Sequence, residues 1–123
     1  MFVKSINKIT SFTAGDETII KEVFHPKNDQ IESSYSLAHA SLDVGASSLP
    51  HILKKSSEMY VIVKGNGLVR VGEEERAVEV GDVVLIPAGI NQWIENTGTE
   101  MLEFYCIVSP PWSEDDELVE GSY

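Results

Sequence analysis

Apolar positions along this chain come in short runs, and none keeps a helical period with good caps over several turns. Thr18 to Val23 is β-branched and apolar, Tyr35 to Val44 mixes apolar with small residues, and Met59 to Val63 is an apolar run. Leu68 to Val71 follows the turn signal Gly65-Asn66-Gly67, and Ala77 to Val80 follows a second one, Gly72-Glu73-Glu74-Glu75. Val83 to Pro87, Gln92 to Glu95 and Leu102 to Val108 complete the series. Short runs punctuated by Gly, Asn, Asp and Pro predict an all-β sandwich or barrel. Pro87 lacks a ladder donor, so it marks a strand end or an edge, and Pro87-Ala88-Gly89 becomes a tight connection into the strand of Gln92. Ser113 to Leu118 is the one stretch with a helical signal, a single turn in which Ser113 precedes Asp116 at capping distance.

Composition narrows the class without naming a chemistry. The 123 residues suit one domain, 1–123, with a core over about 35–111, N-terminal strands in 1–34 and an acidic tail over 112–123. Twenty acidic residues against 9 basic ones give a net charge of −11. That balance leaves no basic footprint for nucleic acid and disfavours an anionic membrane surface. Glu114, Asp115, Asp116, Glu117 and Glu120 crowd the C-terminal end and read as a solvated tail. The single cysteine, Cys106, lies in an apolar run and reads as a buried, inert thiol. The first residues lack the apolar core of a signal peptide, and no apolar run approaches bilayer length, so a soluble cytoplasmic protein is expected.

Two stretches carry spacing that the rest does not. The first runs Gly45-Ala46-Ser47-Ser48-Leu49-Pro50-His51-Ile52-Leu53, then Glu58, then Gly65. The second runs Gly81-Asp82-Val83-Val84-Leu85-Ile86-Pro87-Ala88-Gly89-Ile90-Asn91-Gln92, then Asn96. In order and spacing they resemble the paired motifs of the cupin family, whose form is G-x5-H-x-H-x(3,4)-E-x6-G followed by G-x5-P-x-G-x2-H-x3-N. The resemblance covers at least Tyr35 to Pro111. It implies an all-β double-stranded β-helix, the cupin jelly-roll barrel. That fold hosts isomerases, dioxygenases, decarboxylases, epimerases and simple binders, so it leaves the activity open.

Carried over residue by residue, the resemblance makes His51 and Glu58 metal ligands. Leu53 stands where the family has its second histidine and offers no donor. Gln92 stands at the last histidine position and offers a carbonyl oxygen instead. His39, in Ser36-Leu37-Ala38-His39-Ala40-Ser41, supplies a second imidazole if it faces inward; otherwise it is an ordinary wall histidine. The resulting expectation is a divalent cation (Mn, Fe, Ni or Zn) held by His39, His51, Glu58 and Gln92. Glu58 is either a ligand or the catalytic base. The expected substrate is a small polar molecule, a carbonyl, enol or sugar-derived acid, turned over by a metal-dependent isomerase or dioxygenase. The alternative is a non-catalytic, metal-free binding module, with His51 and Glu58 as a buried pair. Homodimerisation is expected by analogy with the family. His25 reads as surface, Asn96 as a turn residue, and Tyr60, Trp93 and Tyr105 as core packing. Trp112 reads as a cover for the barrel mouth or an oligomer contact.

Overall fold

The computed structural model describes residues 1–121. Eleven strands follow in chain order: β1 (Phe12–Thr13), β2 (Ile19–Phe24), β3 (Ser36–Leu42), β4 (His51–Leu53), β5 (Ser57–Lys64), β6 (Asn66–Val71), β7 (Glu74–Glu79), β8 (Val83–Ile86), β9 (Gln92–Asn96), β10 (Leu102–Ser109) and β11 (Glu117–Val119). One helical turn, α1 (Pro26–Asp29), lies between β2 and β3. Short 3₁₀ turns cover Ile6–Lys8 and Glu114–Asp116. Two antiparallel sheets result, ordered β1-β2-β3-β10-β5-β8 and β11-β4-β9-β6-β7. This is the jelly-roll barrel that the resemblance implied.

Period-two burial explains which side chains reach the interior. Glu58, Tyr60 and Ile62 of β5 are buried, while Met59 and Val61 between them are half-exposed. Strand β9 buries Gln92, Ile94 and Asn96, and β10 buries Leu102, Phe104, Cys106 and Val108. Ile62, Ile86, Ile94, Leu102 and Phe104 pack with Ala40 and Leu42 into one apolar cluster. Asn96, expected as a turn residue, is a buried clamp: its amide donates to the Leu42 and Glu100 carbonyls at 2.9 and 2.8 Å, and its oxygen accepts from Gly98.

The turn signals hold with small shifts. Gly65 alone separates β5 from β6, at a φ of 83°. A Cβ there would lie 2.7 Å from the Met101 carbonyl, so both conformation and space demand glycine. Asn66 and Gly67, read as part of that turn, already belong to β6. Pro87 ends β8, which is an edge strand, where its missing donor costs nothing. Gly89, also at positive φ, donates to the Leu53 carbonyl at 2.7 Å and so ties the β8–β9 connection to β4.

The N-terminal segment forms strands, and the C-terminal stretch departs from the expectation. Strand β1 joins the first sheet beside β2. At the other end, the acidic stretch is built into the fold instead of being solvated throughout. Asp116 accepts from the backbone of Lys55 and Ser56 at 2.8 and 3.1 Å, and its own carbonyl accepts from Lys54. Strand β11 then pairs with β4, setting Glu117 opposite Leu53 and Val119 opposite His51. Glu114, Asp115 and Glu120 remain exposed. Ser113 makes no capping bond to the 3₁₀ turn that follows it. No helix among the described residues is long and apolar enough to cross a membrane.

Candidate metal centre and acid–base site

A cavity of about 150 Å³ opens at the end of the barrel where β4 lies, with His51, Leu53 and Glu58 in its wall. His51 is only 4% exposed. Its Nδ1 donates to the Leu49 carbonyl at 2.8 Å, which leaves Nε2 as the atom turned toward the cavity. There Nε2 lies 3.7 Å from Oδ2 of Asp16. One ligand atom each from Asp16, His51 and Glu117 fall within 4.8 Å of one another.

Local structure explains why these three meet. Asp16 sits in the turn between β1 and β2, where its Oδ1 accepts from the backbone and hydroxyl of Thr18 at 3.1 and 2.6 Å. That bonding turns Oδ2 to His51. The Asp16 carbonyl accepts from the Leu49 amide at 2.7 Å, so one residue, Leu49, fixes both the Asp16 loop and the His51 ring. Glu117 arrives from the other terminus. Directly paired residues share a face, so Glu117 stands beside Leu53 at the family's second histidine position. Its Oε2 accepts from the Trp112 indole at 2.6 Å.

The donor set passes a chemical fit for a divalent cation. Two carboxylates and one imidazole converge on a half-buried point, a combination that suits Mn²⁺ or Fe²⁺. The carboxylates also strain against each other there. Burial raises the Glu117 carboxyl above its ordinary value, Trp112 and His51 pull it back, and Asp16 and Asp116 push it further up. A cation between them would relieve that repulsion.

Glu58 belongs to the same cavity but to a different network. Burial pushes its carboxyl up to about 7; His51 opposes the rise, Asp16 adds to it, and a hydrogen bond from Gln92 again opposes it. The Cys106 thiol is hydrogen-bonded to the same carboxylate, and burial followed by the Glu58 charge raises that thiol well above its usual value. Tyr60, raised for the same reasons, donates its hydroxyl to Oε1 of Gln92 at 2.5 Å. Cys106 is thus buried, as expected, and Tyr60 belongs both to the core and to this network.

Three of the four expected ligands lie outside this cluster: Glu58, which stands in the network just described, Gln92 and His39. Gln92 lies opposite His51 in the sheet, but its carbonyl is occupied by Tyr60 and its amide faces Glu58. It therefore presents a donor, where a metal needs an acceptor. His39 lies on the outer face, with Nε2 3.0 Å from Glu103 and its ring edge-on to Tyr105 at 5.5 Å. Parity sends it there: Ala38 and Ala40 face inward against Cys106 and Phe104, so His39 between them must face out. His25, read as surface, is half-buried at the cavity mouth, and its Nε2 donates to the Trp112 carbonyl at 2.8 Å. Trp112 stands in the cavity wall.

Comparison with known proteins agrees with the barrel. The cupin-domain family profile matches residues 38–108. An uncharacterised protein of Methanocaldococcus jannaschii is 37% identical over 115 residues, covering 93% of this chain and 91% of that relative. Among solved structures, one from Thermotoga maritima described as a predicted oxalate decarboxylase is 23% identical, with a TM-score of 0.78 over 88% of this chain and 98% of that one. The nucleoside dehydratase Pac13 of Streptomyces is 17% identical, with a TM-score of 0.77 over 97% and 90%. At those identities the two structures speak for the fold and leave the substrate open.

Proposed function

The chain belongs to the cupin family, and on that premise we propose that its barrel binds one divalent cation through Asp16, His51 and Glu117 and uses Glu58 to move a proton on a small polar molecule. The carrying observation is the convergence of those three ligand atoms within 4.8 Å at a cavity that also holds a buried carboxyl with a pKa of about 7. Bound there, the cation supplies Lewis-acid polarisation of a substrate oxygen. Leu53 and the apolar wall exclude water from one side of the substrate. A group at about 7 is present in both protonation states near neutrality, so Glu58 can take a proton from a carbon next to a carbonyl and return it elsewhere on the same molecule. Gln92 and Cys106 hold its carboxylate in place for both transfers. Proton transfer of this kind favours an isomerase over a dioxygenase.

A test is exchange of the carbon-bound protons of a small ketone in deuterated water, followed by NMR. Wild-type protein with Mn²⁺ should accelerate the exchange, and Glu58→Gln should remove the acceleration while leaving metal binding intact. Acceleration that survives Glu58→Gln would assign the proton transfer to another group.

A second reading, a binding module without turnover, draws on Leu53 and on the capped carbonyl of Gln92, which together break the family's ligand set. It predicts binding of the ketone with no exchange in wild-type protein.

A further inference from the structure

The cavity walls constrain what can sit beside the ion. Among the described residues lining the cavity there is no Lys or Arg, whereas four carboxylates, Asp16, Glu22, Glu58 and Glu117, line it. Asp16 and Glu117 together carry two negative charges, which a divalent cation balances with nothing left over. An anionic ligand would then face Glu22, and Glu58 whenever it is ionised, with no Lys or Arg to offset the charge. The remaining wall is largely hydrocarbon: Ile20, Ala38, Ala40, Leu53, Phe104 and Val108. A polyhydroxylated ligand laid against that hydrocarbon gives up water hydrogen bonds that only the few polar side chains of the lining, among them Thr18, Ser36 and the carboxylates, could return. The space, about 150 Å³, is also well below the ~300–1,000 Å³ usual for drug-sized molecules.

We infer that the molecule taken up at this site is small, uncharged and mostly hydrocarbon, with a single carbonyl or enol oxygen as its polar end. Sugar-derived acids fall outside this class. The inference rests on the metal-site reading for where that oxygen points, and on the wall alone for the rest. Trp112, at the mouth and bonded to His25, Ser36 and Glu117, reports on occupancy because its indole touches the same Glu117.

The experiment compares three probes on Mn²⁺-loaded protein: methyl isobutyl ketone, its carboxylate analogue ketoisocaproate, and gluconate. Ligand-observed NMR reads binding, and indole fluorescence in a Trp93→Phe background, which leaves Trp112 as the only one of two tryptophans, reads occupancy of the mouth. The ketone should bind at least about tenfold tighter than either anion, because neither anion finds a compensating charge. Ala38→Leu should fill the cavity and abolish ketone binding while Mn²⁺ still binds; Val108→Phe serves the same purpose if the first variant does not fold. Glu22→Gln should narrow the gap between ketone and ketoisocaproate. Tighter binding of either anion, or no binding of the ketone to protein that holds Mn²⁺, overturns the inference. Failure of Mn²⁺ to bind is a separate result that strikes the metal site; ketone binding to chelator-treated protein then decides whether the wall selects as stated.

Discussion

His51 spends Nδ1 on the Leu49 carbonyl, and that one bond decides what the imidazole can do, because only Nε2 is left for the carboxylates. Glu58 is the other decisive residue. Its carboxyl stands at about 7 in the folded protein against an ordinary 4.5, so the folded state holds the proton more tightly than the unfolded chain. Its contribution to stability is complete below about pH 4.5 and is lost as pH rises through about 7. Integrated over that window the loss is on the order of 3 kcal/mol. Thermal melts of chelator-treated protein should show Tm falling between those pH values, and Glu58→Gln should flatten most of the fall. An unchanged slope in the variant would place the titration elsewhere, with Glu117, raised in the same direction, as the next group to test. Tyr60→Phe leaves the buried Gln92 oxygen without its donor and should cost about 1–3 kcal/mol in urea unfolding. His51, Glu58 and Gln92 were all legible at this scale as inward positions, because the resemblance to the paired motifs puts them at ligand positions, and the structure buries all three. His39 was not, because Ser36-Leu37-Ala38-His39-Ala40-Ser41 offers small residues at the inward parity, and only the bulk of Phe104 across the sheet selects them.

Strand β11 carries more of the site than its three residues suggest. It brings Glu117 to the gap left by Leu53, and its approach is fixed by Asp116 bonding to the backbone of Lys54, Lys55 and Ser56. Asp116→Ala should therefore loosen β11, lowering stability by about 1–2 kcal/mol, as measured by denaturant unfolding, and should weaken metal binding although Asp116 is no ligand. Metal affinity equal to wild type in a destabilised Asp116→Ala protein would show that β11 needs no such anchoring. The longer strands were legible from their apolar runs and from Gly65, Pro87 and Gly89, whose geometry leaves few alternatives. Strands β1 and β11 were not, because two or three residues carry no period, and because a run of acids at a chain end ordinarily signals solvent. Asp16, a proposed ligand, was hidden for the same reason, in a turn whose side-chain bonding resembles any Asx turn.

At the scale of the whole molecule, the proposed cation site joins three distant parts of the chain: the β1–β2 turn, β4 and β11. The two paired motifs build the barrel, while two of the three proposed ligands come from outside them. Binding at such a junction stabilises the native state by mass action, about 2.7 kcal/mol at a free ion concentration one hundred times Kd. Mn²⁺ should thus raise Tm and slow hydrogen exchange in β11 more than in β6 or β7, which lie on the far side of the same sheet. The most direct measurement is titration calorimetry of Mn²⁺ into chelator-stripped protein, repeated with Asp16→Asn, His51→Ala, Glu117→Gln and Gln92→Ala. One ion per chain should bind to wild type, with affinity reduced at least about tenfold in each of the first three variants and far less affected in the fourth. No binding to wild type, or binding that depends on Gln92 and survives the loss of Asp16 and Glu117, would contradict the site described.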